Sequence, residues 1–224
     1  MMQLDYEVIY SQRQRLQISV ERDKSVIVRA PEGTSLETIE SALEKKKLWI
    51  YEKTKHPQKY KEGIKGRTYI SGTSILYLGK EYKLDFVNED FEGVRFDGRF
   101  LLPKSHVQLA GHYLKEWFLK EARRIIVPKA ELNARTLGVS YNQILISNLK
   151  YRWGSCTPKN NLSYNWRLIK APISVIDYVI VHELAHLLEP NHTKRFWTII
   201  SVQLPHYLKA KDWLKNNGGL LEVL

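Results

Sequence analysis

A single cysteine, Cys156, stands among 224 residues, so no disulfide can close within the chain, and the composition suits a reducing compartment. The same scarcity excludes a structural zinc site of the usual kind, which draws on several thiolates. Residues 1–30 alternate polar and apolar side chains and hold no continuous apolar block. Neither a signal peptide nor a membrane span is expected there, which makes a soluble, cytoplasmic protein without membrane contact the expectation. No repeat or low-complexity segment is present. Acidic side chains are also scarce, 24 against 35 Lys and Arg, leaving a net charge of +11. The shortfall is uneven: residues 1–103 hold 18 basic and 16 acidic side chains (+2), and residues 104–224 hold 17 and 8 (+9). A basic half attracts nucleic acid or acidic partners through its field, or serves as a solvated face.

What the chain does have is the run Val181-His182-Glu183-Leu184-Ala185-His186. On a helix, the four-residue spacing sets His182 and His186 one turn apart on one face, where both reach a single Zn²⁺. Glu183 then lies close enough to act on a metal-activated water without being a ligand, the division of labour of a hydrolytic zinc site. The surroundings are helical. No Gly or Pro occurs from Val175 to Leu188, Ser174 is the expected N-cap with Asp177 three residues on, and Pro190 predicts a stop near Glu189. His192 follows six residues after His186 and reaches the metal if the chain turns back at Pro190-Asn191. Three protein ligands and one open position make a catalytic site rather than a closed one. Two core histidines with satisfied nitrogens are the bland alternative, but it leaves Glu183 as a carboxylate on a strongly apolar helix with no evident partner. A Cys156–His nucleophilic pair explains the histidines less well than zinc does.

Early β-like runs are expected at Tyr6–Tyr10, Leu16–Val20 and Ser25–Arg29. A helix is expected next, with Thr34 and Glu37 at capping-box spacing and Leu36, Ile39, Leu43 and Ile50 on its apolar face. The basic stretch from Lys45 to Arg67 reads as a solvated face more readily than as a binding arm. Gly79-Lys80 and Asp97-Gly98 signal two hairpins. A boundary is expected at Pro103–Ser105, dividing a β-rich region with one helix (1–103) from a second domain (104–224). That domain opens on a long helix through Trp117, Phe118, Ala122 and Ile126, which Pro128 should kink or break and Leu137-Gly138 should end. Three β-like runs follow at Gln143–Ser147, Leu149–Trp153 and Leu162–Arg167. The run Leu162–Trp166 is expected to be an edge strand able to hold an extended peptide. Two helices close the chain, through Phe196 and Trp197 and then from Pro205 through Trp213. Their aromatics suit a core, with Tyr207 and His206 as candidate oxyanion donors.

Tyr151-Arg152-Trp153-Gly154-Ser155-Cys156, Leu162 to Trp166, His182 to His186, and Asn191-His192 through Phe196-Trp197 together resemble the YgjP-like metallopeptidases, a family also described as a domain of unknown function. The resemblance covers most of the chain and is densest from Tyr151 to Trp213. It implies an α+β fold of the minimal zincin type, similar to SprT-like peptidases, with His182, His186 and His192 as zinc ligands and Glu183 as general base. The longer metzincin signature fits worse, because Glu189 stands where its glycine is expected and the only methionines are Met1 and Met2. Glu189 or Asp212 remains an alternative to His192. The expectation is thus a zinc metallopeptidase acting on peptides or proteins; the alternative is a nucleic-acid-associated zinc protein, including a protease of DNA-bound proteins.

Overall fold

A computed structural model describes residues 5–20, 25–55, 68–149 and 152–222, and the chain divides into two compact units, Met1–Glu62 and Gly63–Leu224. In the first, strands β1 (Tyr6–Ser11), β2 (Gln17–Val20) and β3 (Val26–Pro31) form a sheet ordered β1-β3-β2, parallel between β1 and β3 and antiparallel between β3 and β2. Alternate residues of β3, Val26, Val28 and Ala30, are buried with Ile39 and Leu43 of helix α1 (Leu36–Lys45) and Ile50 of α2 (Lys47–Lys55). The N-cap is Ser35 rather than Thr34, and its Oγ accepts the Thr38 N–H at 3.3 Å. Thr34 turns back to donate to the Pro31 carbonyl. The helix expected through Ile50 is broken at Lys46 into two.

In the second unit β4 (Ser74–Tyr77), β5 (Lys80–Val87), β6 (Arg95–Phe96) and β7 (Phe100–Pro103) form a sheet ordered β4-β5-β7-β6. The aromatic cluster on this sheet packs onto helix α3 (Ala110–Leu137), with Phe100 and Trp117 ring centroids 4.9 Å apart and Tyr77 and Trp117 5.0 Å apart. The divide expected at Pro103–Ser105 therefore falls inside a packed unit, since only a 3-10 turn (Lys104–Leu109) separates β7 from α3. Helix α3 runs through Pro128 unbroken for 28 residues. Its buried row Ala110, Leu114, Phe118, Ala122, Ile126, Ala130, Ala134 continues on both sides of the proline, so packing outweighs the lost hydrogen bond. Gly138 ends it in the left-handed conformation, φ 65°, as its sequence position predicts.

A third sheet joins β8 (Gln143–Ser147), β9 (Gly154–Cys156) and β10 (Asn161–Asn165) in the order β8-β10-β9. β10 is therefore central, not the edge strand expected for Leu162–Trp166. Its Tyr164 and Asn165 are fully buried, as is Trp166 in the 3-10 turn that follows (Trp166–Lys170). Of the run expected over Leu149–Trp153, Lys150 and Tyr151 lie outside the described residues, and Leu149, Arg152 and Trp153 are not in a strand. Helices α4 (Ile173–Ala185), α5 (Lys194–Gln203) and α6 (Tyr207–Leu221) complete the unit. The architecture is α+β, as expected. Among the described residues no helix is long and apolar enough to cross a membrane.

Candidate metal centre

Helix α4 carries the motif, and its start is fixed from outside. The β4–β5 turn places both Leu78 (φ 48°) and Gly79 (φ 79°) at positive φ, the pairing a two-residue hairpin requires. Their N–H groups donate to the Ile169 and Lys170 carbonyls at 2.9 and 2.8 Å. A Cβ on Gly79 would stand 2.7 Å from Pro172 Cγ, so only glycine lets the turn dock there. Pro172 is the N-cap of α4 and gives no side-chain cap, which corrects the assignment of Ser174. Asp177 instead pairs with Lys129 of α3 at 3.0 Å.

Nine of the 13 residues of α4 are buried, on more than one face, as suits a helix enclosed by neighbours. Regular helix ends at Ala185, earlier than Glu189. His186 is its C-cap, and the Leu187 and Leu188 N–H groups bond three residues back, to Leu184 and Ala185. That tightening turns the chain so that Asn191-His192 comes back over the helix face. Thr193 then caps α5, accepting the Phe196 N–H at 3.3 Å.

His182, His186 and His192 converge, with one ring nitrogen from each lying within 4.8 Å of the others. The closest pair is His182 Nε2 and His192 Nε2, 3.1 Å apart. His186 donates Nδ1–H to the Glu189 carbonyl at 3.3 Å, which leaves its Nε2 lone pair for another partner. His182 is pushed down to about 3, first by burial and then by His186, His192 and Lys211, and burial lowers His186 also. Those two are therefore neutral at pH 7, the form in which imidazole binds metal. The donor set fits zinc: nitrogens held about 2.0–2.1 Å from a tetrahedral ion stand roughly 3.3 Å apart. Glu189 approaches only through its carbonyl, and Asp212 is exposed on α6 and not part of the cluster.

Behind the imidazoles, Phe196 is fully buried and lies 4.6 to 5.0 Å, centroid to centroid, from all three rings. Beside them a stack runs from His192 to Trp197 at 5.7 Å, to Tyr207 at 5.7 Å and to Tyr178 at 6.3 Å, and closes on the cluster where Tyr178 meets His182 at 5.8 Å. Tyr207 is thus the second ring from His192 in this stack, and His206 is the N-cap residue of α6.

Glu183 is 7 % exposed. Burial raises its carboxyl to about 7, against the opposing pull of the Arg152 charge and of a hydrogen bond from the Cys156 backbone N–H. Cys156 is half-buried, and its thiol is pushed up by burial and by Glu183. The side chain of Asn165 ties the preceding loop in place, donating to the Leu149 and Arg152 carbonyls at 2.7 and 3.2 Å. The sequence marked Cys156 as a lone thiol and placed Arg152, Trp153 and Asn165 in β-like runs, but nothing in it set them around Glu183.

The family model of the YgjP-like metallopeptidase domain matches residues 14–217. No curated protein matches the chain. Among solved structures, the crystal structure of the metallopeptidase zymogen of Pyrococcus abyssi abylysin is similar at 18 % identity and a TM-score of 0.39, over 42 % of this chain and 94 % of that one.

Proposed function

This chain belongs to the YgjP-like metallopeptidase family, and from that premise we propose that it hydrolyses peptide bonds with Zn²⁺ held by His182, His186 and His192. The reading is carried by three imidazole nitrogens within 4.8 Å of one another beside a buried carboxylate. Bound zinc supplies Lewis acidity toward the scissile carbonyl and a water of lowered pKa. Glu183 would take a proton from the attacking water and pass it to the leaving amine, so it needs to reach the water and not the ion.

The substrate lies along β9. Thr157 N–H bonds the Asn161 carbonyl and Asn165 N–H bonds the Trp153 carbonyl, so in this antiparallel register Ser155 faces Ser163 as the hydrogen-bonded pair. Gly154 and Cys156 consequently direct their N–H and C=O groups away from β10, toward an edge that no described strand pairs with. The Cys156 N–H already meets Glu183 there. An extended peptide added to that edge passes the carboxylate.

The test is a digest of an unfolded protein by zinc-loaded wild type and Glu183→Gln, with metal content measured on both. Glu183→Gln should keep its zinc and lose about 100-fold or more in turnover, the scale of a lost general base. Unchanged turnover in the zinc-loaded variant would remove the mechanism.

A further inference from the structure

Gly154 has a property that its place in a strand does not call for. Its φ is not positive, so the backbone would accept any residue; it is the space beside it that would not. A Cβ there would stand 2.5 Å from Glu183 Cγ, 2.5 Å from Oε1 and 2.7 Å from Cδ, far inside van der Waals contact. The Glu183 side chain therefore lies along the face of β9 where the residue-154 side chain would be. Cys156, two residues on, presents its side chain on the same face, and its N–H hydrogen-bonds the carboxylate.

We propose that Gly154 and the Cys156 amide together position Glu183, the missing side chain giving the carboxylate its seat and the amide fixing its direction. The missing side chain of Gly154 is then a positioning feature that acts through Glu183, apart from any pairing its backbone makes with a peptide on the strand edge. The inference rests on the reading of Glu183 as general base. The seat is rigid because β9 is bonded to β10 on one side, and Asn165 anchors the loop that enters β9. The helix cannot withdraw to make room, since Leu184 and Ala185, beside Glu183, are fully buried. An added methyl must therefore move the carboxylate rather than the strand or helix.

The experiment compares Gly154→Ala, Glu183→Asp and the double variant in the full chain, with zinc content, urea midpoint, kcat and KM measured for each. Gly154→Ala should keep one equivalent of zinc and a KM within twofold of wild type, while kcat falls about 100-fold, the scale of a displaced catalytic group. Its urea midpoint should fall as well. Shortening the acid removes the methylene that the new methyl meets. The double variant should therefore unfold at a higher urea concentration than the two single losses predict, and turn over faster than Gly154→Ala. Should Gly154→Ala fail to fold, a folded double variant supports the seat, and failure of both overturns it. Wild-type kcat in Gly154→Ala beside an inactive Glu183→Gln overturns the positioning role and leaves the base intact. An active Glu183→Gln instead sinks the base reading, and additive urea midpoints sink the contact itself.

Discussion

The three sheets of this molecule repeat one plan. In β1-β3-β2, in the β5-β7-β6 part of the second sheet, and in β8-β10-β9, the third strand is central, parallel to the first and antiparallel to the second. Each time the chain leaves the central strand toward a helix, α1, α3 or α4. Only the third carries the histidines and the buried acid. The first helix has acids too, but Glu37, Glu40 and Glu44 of α1 are all exposed, whereas Glu183 of α4 is 7 % exposed. Helix α1 buries one stripe, Ile39 and Leu43, and leaves the rest to water. Helix α4 is covered on several sides, so its carboxylate is desolvated and tied to a strand edge. Topology is common to all three sheets, and the chemistry comes from what surrounds the helix.

That contrast breaks most sharply at the ligands. His182→Ala should abolish stoichiometric zinc binding, because two imidazoles no longer make a three-coordinate protein site. The equivalent change at exposed His112, on the helix that follows the second sheet, should leave zinc content untouched. Metal analysis of the two purified variants decides it: a full equivalent of zinc at wild-type affinity in His182→Ala would show that the cluster does not hold the ion.

Much of this was legible beforehand, for identifiable reasons. Helical spacing alone put His182 and His186 on one face, and Gly138 marked the end of α3 through its need for positive φ. His192 was readable as a residue the turn at Pro190 could return. What periodicity could not show was pairing between segments distant in sequence. β10 was read as an edge because nothing local to Leu162–Trp166 reveals that β9 joins its far side. The break at Pro103 was expected from a local change of pattern, yet Phe100 and Trp117 pack together across it. Gly154 carried no local signal, since the atom it makes room for belongs to a residue 29 positions later. The basic excess of 104–224 remains a charge count, with no described site attached to it.

The second sheet has its own acid contact, with Glu121 half-buried, which supports structure instead of chemistry. Tyr77 donates to Glu121 Oε2 at 2.6 Å, and Arg124 donates to both carboxylate oxygens at 2.9 and 2.6 Å. The hydrogen bonds from Arg124, ahead of the one from Tyr77, hold the Glu121 carboxyl below its ordinary value against the opposing effect of burial, and Tyr77 is pushed up to about 12, chiefly by burial. A depressed acid adds stability that is complete above its unfolded value and lost as pH falls through the folded one. Tyr77→Phe should therefore cost about 1.5 kcal/mol at pH 7, the lower end for a hydrogen bond to a charged group, and flatten the loss of stability on acidification. Much of Arg124 is in water, so its share is small. Urea unfolding from pH 7 down to pH 2 would show it; an undiminished acid slope in Tyr77→Phe would mean that the tyrosine does not help to depress Glu121.

The smallest effect is expected in the first unit, where the same strand plan leads to a helix without a site. Ser35 is exposed, and its Oγ satisfies one N–H of the first turn of α1, that of Thr38. Alanine there leaves that donor to water, at a cost of about 1 kcal/mol. The loss is local, because the rest of α1 is held by Ile39 and Leu43 against Val26, Val28 and Ala30. Amides of Leu36–Lys45 in Ser35→Ala should exchange about fivefold faster, as roughly 1 kcal/mol corresponds to a factor of five in the opening equilibrium. Zinc content and turnover should stay at wild-type values, since the three imidazoles and Glu183 are all drawn from residues 182–192. Hydrogen exchange, read with metal analysis on the same sample, separates the outcomes. Faster exchange confined to α1 marks the first sheet and its helix as a fold without a site, whereas a fall in zinc or turnover would mean that the first unit takes part in the chemistry of the second.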